Sequence, residues 1–212
     1  MQNSISLVSD EVYPSKIVCV GRNYVAHINE LNNEMPDEPV IFMKPNSAIA
    51  ETLKLHKTDE IHFEAELCFT IKNNKIFAVG LGLDLTKRAL QTKLKSKGLP
   101  WEKSKGFDGS AVFSDFLPLD DVNLGGRQLN SLSFTLHIDD KLAQAGDYSL
   151  MLFKPEALLT HISESFSLQD GDIFMTGTPA GVGKVVADST YKAALFGVDK
   201  NTPILSAQWK AV

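Results

Sequence analysis

The sequence predicts a single, mainly β domain of the α+β class with few helices. Three observations carry this. Residues 62–71 alternate polar and apolar without a break, residues 76–84 are almost entirely apolar and end on an acid, and only three stretches have helical character. No internal repeat or linker divides the 212 residues, a length that suits one domain with a full core. The expected domain spans 1–212, with the first 15 or so residues peripheral.

Taken in order, residues 16–20 form a short apolar strand that ends at Gly21-Arg22-Asn23-Tyr24. Residues 25–31 are helical, and 32–39 are a polar loop with two prolines. Residues 40–43 are another strand, followed by Lys44-Pro45. The runs 62–71 and 76–84 pair across a turn at Asn73-Asn74. Residues 86–97 are the clearest helix, stopped by Gly98 and Pro100. Residues 101–109 read as a loop containing lysine and glycine. Asp139-Asp140 turns strand 132–138 into a hairpin with 142–145, and Pro155 opens a helix over 154–166. A tight turn at 168–172 leads to strand 173–176, then to the glycine-rich loop 177–183, and a closing strand covers 204–209.

Composition narrows the function. Apolar residues make up 43% and charged residues 22%, an ordinary soluble balance. A net charge of -5 argues against a nucleic-acid footprint. Lys93, Lys95 and Lys97 read as a solvated helix face. Cys19 and Cys68 lie in apolar strands and are expected to be buried free thiols. There is neither a secretory signal nor an apolar run near the ~20 residues of a membrane span, so a reducing, cytoplasmic setting without membrane partners is expected.

The candidate chemistry starts with Glu64 and Glu66. On a strand they share one face with His62, while Phe63, Ala65, Leu67, Phe69 and Ile71 face the core. Such a pair is either a solvated outer face or a site for a hard cation. Asp84 closes the next apolar run, either as a helix N-cap or as a third ligand. His27 and Glu30 stand one helical turn apart, as a surface ion pair or as an oriented general base beneath a movable 32–39 lid. The loop 177–183 lacks the Walker pattern. It is either a structural turn or a place where backbone N–H groups and the Thr178 hydroxyl meet a small carboxylate. Lys105 is either an ordinary loop lysine or a charge partner for an anionic substrate.

Taken together, these segments resemble the fumarylacetoacetate hydrolase family, in its small single-domain acylpyruvase and oxaloacetate decarboxylase branch. The resemblance runs through Gly21-Arg22-Asn23-Tyr24 with His27 and Glu30, Phe42-Met43-Lys44-Pro45, and His62-x-Glu64-x-Glu66-Leu67. It continues through Asp84-Leu85-Thr86-x-Arg88-x-x-Gln91, Lys105-Gly106-Phe107-Asp108 and Thr176-Gly177-Thr178-Pro179. It implies a mixed β-sandwich roll, a homodimer, and a Mg²⁺ or Mn²⁺ ion (with Ca²⁺ as an alternative) on Glu64, Glu66 and Asp84. It places the catalytic dyad on His27 and Glu30 and the active-site lysine on Lys105. Substrate contacts are implied at Arg22, Arg88, Gln91 and Thr178. The implied activity is metal-dependent C–C hydrolysis of a 2,4-diketo acid through a metal-stabilised enolate. The alternatives are oxaloacetate decarboxylation, keto–enol tautomerisation, and 5-carboxymethyl-2-hydroxymuconate isomerisation. Ala89 departs from the family, whose members often carry an acid after the arginine.

Overall fold

The alternating run lies at the centre of a curled β architecture in the computed structural model, which describes residues 2–7, 10–56, 58–119 and 129–212. An N-terminal hairpin of β1 (Ile5–Leu7) and β2 (Asp10–Val12) precedes β3 (Lys16–Gly21), α1 (Val25–Glu30) and β4 (Val40–Pro45). β5 (Ile61–Phe63), β6 (Ala65–Lys72), β7 (Lys75–Asp84) and β8 (Thr86–Lys87) lead into α2 (Arg88–Ser96) and α3 (Glu102–Lys105). β9 (Ala111–Phe113), β10 (Leu117–Pro118), β11 (Ser133–Ile138), β12 (Lys141–Asp147) and α4 (Pro155–Ser165) follow. β13 (Ile173–Met175), β14 (Gly183–Lys184), β15 (Thr190–Phe196) and β16 (Leu205–Lys210) close the chain.

The largest sheet runs β10-β7-β6-β13-β3-β4, with β9 also on β7, and only β13 and β3 pair in parallel. A four-stranded antiparallel sheet, β12-β11-β15-β16, packs against it, and a small sheet joins β14, β5 and β8. Alternation decides which side chains enter the space between the large sheets. Leu67, Phe69 and Ile71 from β6 and Val79, Leu81 and Leu83 from β7 meet Phe134, Leu136, Tyr191 and Leu195. Phe69 stacks on Phe174 with ring centroids 5.3 Å apart. Burying each such side chain contributes about 1.5–3 kcal/mol. The opposite face is also covered, by a second cluster that includes Ile17, Cys19, Cys68, Phe116 and Met175. Both cysteines are free and buried, as expected.

The turns form as their residues dictate. Asn73 and Asn74 (φ 51° and 57°) and Asp139 and Asp140 (φ 47° and 65°) take the left-handed conformation of tight hairpins. Four expectations need correction. The run 62–71 is not one strand but breaks at Glu64 between β5 and β6. The helix expected at 86 starts at Arg88, because Thr86 and Lys87 pair with β5 instead. Asp84 therefore caps no helix: Lys87 holds the cap position, and no side chain bonds there. Within 101–109, residues Glu102–Lys105 form a helical turn that carries Lys105.

A candidate active site around three carboxylates

The break at Glu64 and the end of β7 lie side by side, since the Asp84 N–H donates to the Glu64 carbonyl at 2.8 Å. The paired strands β6 and β7 stop there together, and the chain resumes as the pair β5 and β8 in the small sheet. This shared kink turns Glu64, Glu66 and Asp84 into one space. All three are buried, and one carboxylate oxygen from each lies within 4.8 Å of the others.

Cations surround two of the three. Lys105 Nζ donates to Glu64 Oε2 at 2.8 Å and to Asp84 Oδ2 at 2.7 Å. Arg88 Nη2 donates to Glu64 Oε1, which also accepts from the Thr86 hydroxyl at 3.2 Å. Burial by itself would raise the Glu64 pKa, but Lys105 and Arg88 outweigh it and hold the carboxyl well below the usual carboxylate range. Burial opposes the charge on Lys105 too, yet Asp84 and Glu64 push its pKa above the ordinary lysine value. Glu66 is different. Its Oε2 accepts from the Gly177 N–H at 2.6 Å, and no cation lies within 4.0 Å among the described residues. Burial, then the charges of Asp84 and Glu64, raise its pKa well above the ordinary value.

One cavity opens onto this cluster. It is lined by Glu64, Glu66, Arg88, Gln91 and Lys105, and also by Arg22, His27 and Thr178. It is tight: the space open to the centre of a water-sized sphere is about 40 Å³. His27 is buried on α1, and its Nδ1 lies 3.1 Å from Glu30 Oε2. Glu30 is fixed in turn by the Gly181 N–H, which donates to Oε1 at 3.0 Å. With Nδ1 turned to a carboxylate, Nε2 is the ring nitrogen left to act as a base. Gln91 Oε1 accepts from Arg88 Nη1 at 2.7 Å. Arg22 has φ 56°, a left-handed conformation that is uncommon outside glycine and costly to hold.

The residues singled out by sequence thus converge, with Asp84 behind Lys105 and Glu30 behind His27. Loop 177–183 makes much of its hydrogen bonding within the protein. Gly177 binds the protein's own Glu66, and the Thr178 hydroxyl donates to the Ala65 carbonyl and accepts from Gln144 Nε2, both at 2.8 Å. Thr178 remains a wall of the cavity with its proton already committed. The reading of Lys95 as a solvated residue is corrected, because it lines the cavity. Sequence reasoning missed Lys44 and Gln144 as well. Lys44 Nζ stands 2.9 Å from Asp84 Oδ1 and donates to the carbonyls of Leu85, Ser110 and Lys105. Gln144 ties Ala65 to Thr178 and Pro179. Both lie in motifs that carry the family resemblance, Phe42-Met43-Lys44-Pro45 and Gln144-x-Gly146, but neither motif by itself assigns them a role.

Comparison with known proteins gives concordant findings. The family model for the fumarylacetoacetate (FAA) hydrolase C-terminal region matches residues 16–205. A mitochondrial oxaloacetate tautomerase from Arabidopsis thaliana is 38% identical over 88% of this chain and 88% of its own length. A mitochondrial oxaloacetate decarboxylase from Dictyostelium discoideum is 36% identical over 87% of this chain and 90% of its own. The crystal structure of fumarylpyruvate hydrolase from Pseudomonas aeruginosa in complex with Mn²⁺ and pyruvate superposes with a TM-score of 0.87. It is 26% identical and covers all of this chain and 96% of its own.

Proposed function

The chain belongs to the fumarylacetoacetate hydrolase family, and from that premise we propose a divalent-cation-dependent enzyme that interconverts the keto and enol forms of oxaloacetate or a similar small 2-oxo diacid. The observation that carries this reading is a buried imidazole, His27 backed by Glu30, on the wall of a tight cavity that is also lined by Glu64 and Glu66 of the carboxylate cluster. Tautomerisation needs only a proton moved at one carbon and charge held on one oxygen. The Arabidopsis thaliana relative named an oxaloacetate tautomerase supports this reading, and the Dictyostelium discoideum relative named an oxaloacetate decarboxylase supports the substrate class.

The donor set fits a hard cation. Glu64, Glu66 and Asp84 offer oxygens only, and buried Glu66 has no cationic partner within 4.0 Å among the described residues. Mg²⁺ or Mn²⁺ would be held by these three residues, with Ca²⁺ as the alternative. When bound, such an ion polarises the 2-oxo group as a Lewis acid. The side chains do the remaining work. His27 Nε2 takes the proton from the carbon next to the oxo group and returns it to oxygen or carbon. Glu30 holds the ring and stabilises its charged form. Lys105 adds positive charge where the substrate oxygen becomes negative.

A second reading, hydrolysis of a 2,4-diketo acid, is favoured by the same dyad, since a buried imidazole with a fixed carboxylate also suits activation of water. It needs in addition a water molecule placed at the distal carbonyl, which tautomerisation does not.

The test is a side-by-side assay of enol-oxaloacetate ketonisation, oxaloacetate decarboxylation and acetylpyruvate cleavage, with Mg²⁺ and with EDTA. Ketonisation should require Mg²⁺, vanish in Glu64→Ala and fall about 10²–10⁴-fold in His27→Ala. Fast acetylpyruvate cleavage with ketonisation at the uncatalysed rate would instead establish the hydrolase, and indifference to EDTA would remove the cation from the mechanism.

A further inference from the structure

The cations of the cavity fall into two groups. Arg88 and Lys105 are both bound to Glu64. Arg22 and Lys95 have no carboxylate within 4.0 Å among the described residues. Lys95 Nζ donates to Asn33 Oδ1 at 2.7 Å and stands 5.9 Å from the centre of the Trp101 ring. Arg22 Nη1 reaches the Glu34 carbonyl at 3.4 Å, a weak contact. The hydrogen bonds given to both cations among the described residues are thus to neutral oxygens of the segment that follows α1, and both line the cavity. Lys95 is half-buried, whereas Lys93 and Lys97, its neighbours on the same stretch, are exposed. Burial, followed by the nearby charges of Arg22 and Arg88, lowers the Lys95 pKa from its ordinary value, and the more distant Glu64 only partly offsets them. Arg22 is also the residue held in the costly left-handed conformation.

We propose that Lys95, beside Arg22, forms the seat for the distal carboxylate of the substrate, on the wall of the cavity that Glu64 and Glu66 also line. This rests on the reading of the site as one for a small 2-oxo acid and assigns its specificity for diacids to two named residues. A carboxylate arriving there would replace the neutral oxygens of Asn33 and Glu34 with charge-assisted hydrogen bonds, which are the stronger kind. A substrate with a methyl group at that end would leave both cations unmatched.

The experiment compares malate with 2-hydroxybutanoate, which lacks the second carboxylate, by calorimetry on the Mg²⁺-supplemented protein. Lys95→Met should weaken malate about 10- to 100-fold and leave 2-hydroxybutanoate within about twofold, while Lys95→Arg restores most of the loss. In turnover, Lys95→Met should raise the KM for oxaloacetate far more than it lowers kcat. Equal weakening of both ligands, unchanged malate binding, or a wild type that does not distinguish the two ligands would overturn the proposal. The binding result does not depend on turnover. A malate preference lost in Lys95→Met, in a protein that does not tautomerise oxaloacetate, would uphold the seat and reject the reaction.

Discussion

Lys44 shows how a residue outside the predicted site holds that site together. Its side chain is fully buried, and its ammonium is shared between Asp84 and three backbone carbonyls, from Leu85, Ser110 and Lys105. It therefore fastens β4 to the end of β7 and to α3, the helical turn that presents Lys105. Lys44→Met removes the charge but keeps the length, so Asp84 loses one of its two cations in a place where water cannot replace it. Removing one partner of a buried ion pair costs about 3–5 kcal/mol. The expected outcome is a urea midpoint lowered accordingly, with activity lost even where the variant is folded. A midpoint within error of wild type would mean that Lys105 alone balances Asp84. In sequence, a lysine before a proline at a strand end reads as surface. What buries Lys44 is α3, and 101–109 gave no pattern from which a helix could be read.

At the scale of elements, two contacts decide how the dyad and the central sheet are held. Gly181 has φ 100°, and a Cβ there would lie 2.1 Å from the Ala143 carbonyl oxygen. Its N–H is the group that fixes Glu30. Gly181→Ala must displace that loop, freeing Glu30 and with it the orientation of His27. The expected result is a kcat reduced at least tenfold. An unchanged kcat would show that Glu30 does not depend on this anchor. Asp172 is the second case. It accepts from the N–H groups of Ser15, Lys16 and Gln169, from the Ser15 hydroxyl, and from Lys16 Nζ at 2.5 Å, which joins the starts of β3 and β13. Burial raises its pKa, but these donors more than offset that and leave it below the ordinary value. A depressed carboxyl pKa contributes stability above the unfolded value, and that stability is lost as pH falls through the folded value. Asp172→Asn should therefore be clearly less stable than wild type near pH 7. The gap, read from urea midpoints, should close as the pH drops below the usual carboxylate range. A gap independent of pH would assign the contribution to hydrogen bonding alone.

For the whole molecule, the β architecture was legible because hydrophobic alternation and turn residues report on burial locally. Residues 62–71 and 76–84 showed which side chains face the core, and Asn73-Asn74 and Asp139-Asp140 marked their hairpins. The break at Glu64 was not legible. No glycine, proline or change of period marks it, and it arises because β5 and β8 find partners in a different sheet. Lys95 was hidden for the same reason, since only the approach of Asn33 and Trp101 distinguishes it from Lys93 and Lys97. The carboxylate cluster was legible as residue types, but its consequence belongs to the folded molecule. Three buried acids share one space, and Glu66 keeps its proton at pH values where an exposed glutamate would not. A raised carboxyl pKa gives stability that is fully present below the unfolded value and lost as pH rises through the folded value. The metal-free protein should therefore lose stability as pH rises past the ordinary carboxylate range, and Glu66→Gln, which removes the repulsion, should not. The metal-free variant is then expected to melt higher than metal-free wild type, by a margin that widens with pH. A divalent cation that binds only the folded chain stabilises it by RT ln(1 + [L]/Kd), about 2.7 kcal/mol at a hundredfold excess over Kd. Added Mg²⁺ should thus raise the wild-type melting temperature, more at higher pH because binding releases the Glu66 proton, and should do little for Glu66→Gln. If calorimetric scans find wild type and variant equally responsive to Mg²⁺, the ion is held elsewhere and the three acids serve only to position Lys105.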